Sequence, residues 1–203
     1  MSVPAAYLGI ILIWSTTPLA IKWSGEEVGF LFGVTGRMLL GVIAGMLVAR
    51  LLGVRLPWHA RARRTYLAAG LGLFFAMLSV YWSSQFIPSG WISVIFGLAP
   101  LVTGLMATLW LSENVLTPAR IAGMLLGLGG LVFMLTGAET LGPDAVYGIS
   151  GVLLSVIAYS ASSVGVKRIQ ADIPALAVTL GGLLVYQYGH GLSEWIRNAL
   201  LEN

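Results

Sequence analysis

The side chains able to do chemistry in this sequence are few, and their types suit recognition better than bond breaking. Arg37 stands seven residues inside an apolar run from Phe30 to Leu52, roughly 10 Å along a helix axis at 1.5 Å per residue. A guanidinium at that depth can fork onto a carboxylate. Left in lipid it would cost about 2.5 to 3.5 kcal/mol, so either it faces protein or water, or it snorkels outward and holds helix-end carbonyls. Both readings stay open. Trp14-Ser15-Thr16-Thr17-Pro18 is a polar knot in an otherwise apolar stretch. Its hydroxyls can satisfy carbonyls freed by the proline, in a kinked packing helix or in a broken helix lining a path. Tyr81, Trp82 and Gln85, accompanied by Ser79 and Ser83, suit a wet cavity mouth, with an interfacial aromatic belt as the alternative. Tyr159 and Ser160 form a comparable group further on, followed by Ser162 and Ser163.

Bond-breaking machinery is missing from the apolar runs. Both histidines and all carboxylates lie in connections or in the tail, so no acid–base pair, nucleophile–base set or ligand cluster is in place. His59, in a basic loop with Pro57, reads as solvated. There are no cysteines, which excludes disulfides and thiolate metal sites. No catalytic residue, metal site or cofactor is expected, and the chain reads as no enzyme. Glu26, Glu27, Glu113, Glu139, Asp144 and Asp172 sit at span ends or in links, so none is placed as a buried proton relay.

The elements that must position these groups are membrane helices. Charged residues are 9% of the chain, hydrophobic ones 58%, and mean hydropathy is +0.90, far from the roughly 25% charge of soluble domains. Met1 to Pro4 lacks a basic n-region and a cleavage site, so the first run reads as a retained helix. The spans are expected near Ala5–Trp23, Phe30–Leu52, Tyr66–Ile87, Trp91–Leu111, Ala119–Ala138 and Ala145–Val166, with a shorter run at Ile173–Tyr188. Residues 86–113 read as the stretch around which the rest packs. Small residues recur there at Ser89, Ser93, Gly97, Gly104, Thr108 and Ser112, and a kink is expected at Pro100. The fifth span carries a GxxxG at Gly123 and Gly127. Lys22 reads as a snorkelling lysine. After Tyr188 the run is expected to break at Gly189-His190-Gly191, leaving Ser193–Asn203 as an amphipathic surface helix or as the end of a truncated product.

Charge decides the expected topology. Arg50, Arg55, Arg61, Arg63, Arg64, Arg120, Lys167 and Arg168 fall after the second, fourth and sixth spans, whereas Glu26, Glu27, Glu139 and Asp144 fall after the others. Basic connections stay cytoplasmic, so the N-terminus is expected inside. The net charge of +3 is therefore a topology signal and not a nucleic-acid one. A repeat is also visible: WSTTPLAIK at 14–22 matches YSASSVGVK at 159–167 at an offset of 145 residues. The copies are offset by five spans, which would invert one relative to the other.

The W-S-x-x-P-x-x-x-K pattern, Arg37, the IPSG…APL…GLMATLWLSE block of 87–113 and the glycine-rich run of Gly123–Met134 together resemble the EamA-type drug/metabolite transporters. The resemblance covers residues 5 to about 185. It implies an all-α integral membrane protein of about seven helices: a first five-helix repeat over 1–140, an incomplete inverted second repeat over 141–188 and an atypical polar tail over 189–203. It further implies a cavity between repeats, reached alternately from each side, and a multi-pass protein of a cell membrane such as the bacterial inner membrane. The expected function is transport, as an exporter, of small organic metabolites or drugs; a non-transporting fragment or membrane assembly subunit is the alternative. Trp14, Thr17, Arg37, Tyr81, Trp82, Gln85, Tyr159 and Ser160 are the expected substrate contacts. Arg37 would pair a carboxylate, the rings would wall the site, and the hydroxyls would orient polar groups. The expected partners are the lipid bilayer, a small-molecule substrate and a second copy held through small-residue helix faces, with no nucleic acid.

Overall fold

The computed structural model describes residues 3–26, 29–113, 115–134 and 141–201. All of its regular structure among those residues is helical: α1 Val3–Glu26, α2 Phe30–Leu51, α3 Ala60–Ser83, α4 Ser89–Phe96, α5 Ala99–Leu111, α6 Pro118–Met134, α7 Ala145–Ile169 and α8 Ala175–Leu201. The helices Phe30–Leu51, Ala60–Ser83, Ser89–Leu111 and Ala145–Ile169 are long and apolar enough to cross a membrane. Large apolar side chains stay exposed on their outer faces, as with Phe32, Leu40 and Leu47 on α2 and Leu109 on α5. A hydrocarbon solvent makes such a surface favourable. This is a multi-pass membrane protein.

The helix ends differ from the sequence expectation where local chemistry overrides hydropathy. α3 begins at Ala60, six residues early, because the Arg61–Arg64 segment is good helix former and His59 caps it. The His59 Nδ1 accepts from the Ala62 amide at 3.3 Å, so this exposed histidine is a cap and not merely solvated. α3 also ends at Ser83, short of Ile87. In α1 the helix is unbroken through Pro18. Thr17 Oγ1 donates to the Ile13 carbonyl at 2.7 Å and Thr16 Oγ1 to the Leu12 carbonyl at 3.0 Å, so the knot is a set of back-bonded hydroxyls. The fourth span does break, but at Gly97–Leu98 and not at Pro100. A proline ring clashes with the carbonyl four residues before it, here that of Phe96, the last residue of α4. Pro100 thus becomes the second residue of a new helix, where its missing N–H is harmless.

α8 runs unbroken from Ala175 to Leu201, so the expected break at Gly189–Gly191 does not occur. Two glycines lose to continuation of a turn already formed. Residues 135–138 of the fifth span lie outside the described residues, as do Glu27, Glu139 and the last two residues of the tail.

The hub is α3, not the 86–113 stretch. α3 packs most closely against α7 and α8, while α5 and α4 pack on α7. Glycines and serines permit the contact. A Cβ added to Gly72 would lie 2.1 Å from the Cβ of Ser162, and one on Gly151 would lie 2.2 Å from the Ser83 hydroxyl. Ser155 and Ser162 of α7 then donate to the α3 carbonyls of Ala76 and Ala68 at 2.6 and 3.0 Å. Small residues bring two backbones together and hydroxyls tie them, the usual means of helix association in lipid. Around this pair gathers a core of Val34, Met38, Val80, Tyr81, Ile92, Val152 and Tyr186.

Candidate functional site

α1, α2, α3, the α4–α5 break and α7 enclose a cavity of about 530 Å³. Its walls are mostly apolar, with Ile21, Met77, Val80, Ile92 and Phe96 among them. Polar groups enter at a few points only: Ser15, Thr17, Ser93, Arg37 and the two large rings of Trp14 and Tyr159. Such a space suits a small organic molecule oriented by a few polar contacts.

Arg37 is the electrostatic centre of this space. Helix α2 is buried along Gly33, Val34, Met38 and Val42, which turns the Arg37 position toward the bundle. Gly33 lets that happen, since a Cβ there would meet the Ser24 carbonyl oxygen of α1 at 2.3 Å. One guanidinium nitrogen, Nη2, donates to Thr17 Oγ1 at a long 3.4 Å. The other, Nη1, is buried and has no hydrogen-bond partner among the described residues. A buried donor left unpaired costs roughly 1–3 kcal/mol, more when charged, until an acceptor arrives. Trp14 and Tyr159 stand edge to face with ring centroids 6.2 Å apart.

Four of the eight expected contact residues therefore meet: Trp14, Thr17, Arg37 and Tyr159. The other four lie elsewhere for reasons of helical register. Met77 and Val80 are the α3 residues on the cavity wall. Tyr81 and Trp82 follow Val80 by about 100° and 200° of helix rotation and so turn away. Tyr81 is fully buried, its hydroxyl accepting from Ser24 Oγ at 3.3 Å. Trp82 packs on Phe86, with centroids 4.9 Å apart, and fills the space beside Gly151. Ser160, one position past Tyr159, is buried and accepts from Thr103 Oγ1 at 2.9 Å, which ties α5 to α7. Gln85 is exposed and donates to the Trp82 carbonyl at 3.1 Å. It borders a separate hollow of about 460 Å³ with Lys22, Pro88 and Ser89. Lys22 does not snorkel freely: its Nζ donates to the Ser84 carbonyl at 2.7 Å, at the end of α3.

The cavity also uses residues that sequence reasoning missed as contacts, namely Ser93, Phe96, Gly97 and Pro100. Their signal was the helix break, since chain that interrupts a membrane helix must line a cavity or be buried in protein. A second cavity of about 510 Å³ adjoins the first and shares Trp14, Pro100 and Tyr159 with it. Its rim carries Glu113, Arg120 and Lys167. Among the described residues no group of histidines and carboxylates could hold a metal ion.

The fold and the site define a multi-pass helical membrane protein with an apolar cavity, into whose wall Arg37 brings a buried guanidinium. Residues 3–136 match the EamA-like transporter family, and the chain belongs to that family. No curated protein matches the chain. Among solved structures it is similar to one described as the crystal structure of a protein, with a TM-score of 0.68 and 27% identity over 90% of this chain. This chain spans 63% of the length of that one.

Proposed function

We propose that this membrane transporter moves a small organic carboxylate or zwitterion, a metabolite or a drug, as an exporter working by alternating access. The observation that supports it is the buried, unpartnered Arg37 Nη1 at the wall of an apolar cavity. A carboxylate would complete that donor with a charge-assisted bond, while Trp14 and Tyr159 flank its apolar body. Thr17 orients the guanidinium. Tyr81, Trp82 and Ser160 act behind the wall, holding α1, α3, α5 and α7 in place, while Gln85 serves the separate hollow beside Lys22. The lopsided basic connections favour an N-terminus on the cytoplasmic side of a cell membrane such as the bacterial inner membrane. The open α6 face at Gly123, Gly127 and Gly130, where an added Cβ would meet nothing within 4 Å, is the natural contact for a second copy.

The test is binding by calorimetry of small aromatic and aliphatic carboxylates, each against its own primary amide. The protein should prefer carboxylates, and Arg37→Gln should lose about 10- to 100-fold of that affinity, the range for hydrogen bonds to charged groups. Arg37→Lys keeps the charge without the fork and should fall between. Equal carboxylate affinity in Arg37→Gln and the native chain would make the residue structural and end this proposal.

A further inference from the structure

The repeat at an offset of 145 residues aligns Trp14 with Tyr159 and Lys22 with Lys167. The first of these pairs is in contact, edge to face. Copies of an inverted unit are related by a two-fold axis in the membrane plane, and equivalent residues can touch only at that axis. Trp14 and Tyr159 therefore meet at the pseudo-symmetric centre of the fold. The helix directions agree. C-terminal to Trp14, the α1 residues Thr17, Pro18 and Ile21 line the first cavity; C-terminal to Tyr159, the α7 residues Ser163, Val164 and Lys167 line the second. The two helices pass the ring pair in opposite senses, and the two lysines end at different openings, Lys22 in the 460 Å³ hollow and Lys167 at the rim of the second cavity.

The second cavity has its own recognition chemistry. Ala107, Leu116 and Met124 give it apolar walls. Lys167 Nζ pairs with Glu113 at 2.5 Å, which leaves the Arg120 charge uncompensated within that set; among the described residues its Nη1 donates to the Val115 carbonyl, at 2.9 Å. Net positive charge above an apolar wall suits an organic anion, the same class that Arg37 suits in the first cavity.

We propose that the second cavity is a second station for small organic anions and that the Trp14–Tyr159 contact is the gate between the two stations. This rests on the transport reading above, and it adds a site and a barrier to it. Closing the contact separates the cavities; parting the rings joins them, and the pseudo-symmetry makes either side available as the entrance.

The chain has no cysteine, so single reporters are clean. In the full chain, Ser163→Cys reports the second cavity and Ser93→Cys the first. Each is titrated in right-side-out and inverted vesicles with ethylsulfonate (anionic) and trimethylammonium (cationic) methanethiosulfonates. The face from which Ser163→Cys reacts faster is the second-cavity face. There the anionic reagent should react faster than the cationic one, and Arg120→Gln should remove that preference. From the same face, Trp14→Ala and Tyr159→Ala should each speed modification of Ser93→Cys by about 2- to 12-fold, the opening that an aromatic pair of ordinary strength holds back. Trp14→Phe retains an edge and a face and should keep the native rate. Trp14→Leu replaces Trp14→Ala if the smaller residue prevents folding. A flat Ser93→Cys rate in the ring variants, or no anion preference at Ser163→Cys, overturns this inference. Neither result touches the Arg37 affinity test, whose failure would instead remove the anion reading itself.

Discussion

Substituting Gly72 by Ala probes whether the α3–α7 contact sets the site. The added Cβ would lie 2.1 Å from Ser162 Cβ, 2.5 Å from its Oγ and 3.2 Å from its Cα. Carbon atoms rest about 3.5–4.0 Å apart, so the helices must separate locally by roughly 1.4–1.9 Å. A rotamer change cannot relieve this, since the nearest atom is a Cβ fixed to backbone. Overpacking of this kind costs about 1–3 kcal/mol. Gly129→Ala is the reference, because a Cβ there meets nothing within 4 Å. Both variants gain the same helix-propensity term of about 1 kcal/mol, so the difference between them isolates the clash. The assay is reversible unfolding in mixed micelles, with the pair compared at equal detergent. Gly72→Ala should be less stable than Gly129→Ala by about 1–3 kcal/mol, and adding Ser162→Gly should recover part of that loss. The recovery is partial because Ser162 also donates to the Ala68 carbonyl. Since α7 carries Tyr159, carboxylate binding should fall in parallel. Equal stability of Gly72→Ala and Gly129→Ala would refute the close approach of α3 and α7.

Ser155→Ala deletes a buried α7–α3 bond of 2.6 Å and should cost about 0.6 kcal/mol, up to 1.7, by unfolding in bicelles. Cysteines placed at exposed Ala60 and Gly142 should be labelled by an impermeant thiol reagent from opposite faces, with Ala60→Cys protected in intact cells. Thr17→Val removes the acceptor of Arg37 Nη2 and should weaken carboxylate binding less than Arg37→Gln does, measured by the same calorimetry. Glu113→Gln breaks an exposed ion pair and should change unfolding stability by less than about 1 kcal/mol.

Hydropathy made the helical membrane fold legible, because in lipid the spans must be helices and their lengths are fixed by bilayer thickness. Helix ends were less legible: Arg61 to Arg64 looked like loop because they are charged, yet arginine is a good helix former beside a capped end. The hub was misplaced because small-residue stripes occur on several helices, and a stripe does not say which partner fills it. Gly72 and Gly151 find α7 and α3, whereas Gly123 and Gly127 find nothing within 4 Å. Within the site, polarity singled out Arg37 and Thr17, which the fold places within 3.4 Å of each other, but it could not orient Tyr81 or Ser160. One residue of helix rotation separates Val80 from Tyr81 and Tyr159 from Ser160, and only packing fixes which of each pair meets the cavity.

The balance of energies at Arg37 explains why a bundle built for close packing keeps an unpaired cation. Its desolvated Nη1 opposes folding by roughly 1–3 kcal/mol or more, and the 3.4 Å contact with Thr17 offsets little of that. Replacing the side chain by leucine would relieve that penalty, so stability alone does not account for an arginine there. A ligand carboxylate, by contrast, meets a donor already stripped of water and held in place, which strengthens the bond it forms. On the transport proposal, one fork in an otherwise apolar space, with a ring pair beside it, would give selectivity for an anion without a cage around it. Arg37→Leu should therefore unfold at a higher temperature than the native chain while losing its carboxylate preference; a less stable Arg37→Leu would mean that the guanidinium holds the bundle together, and the residue would be structural.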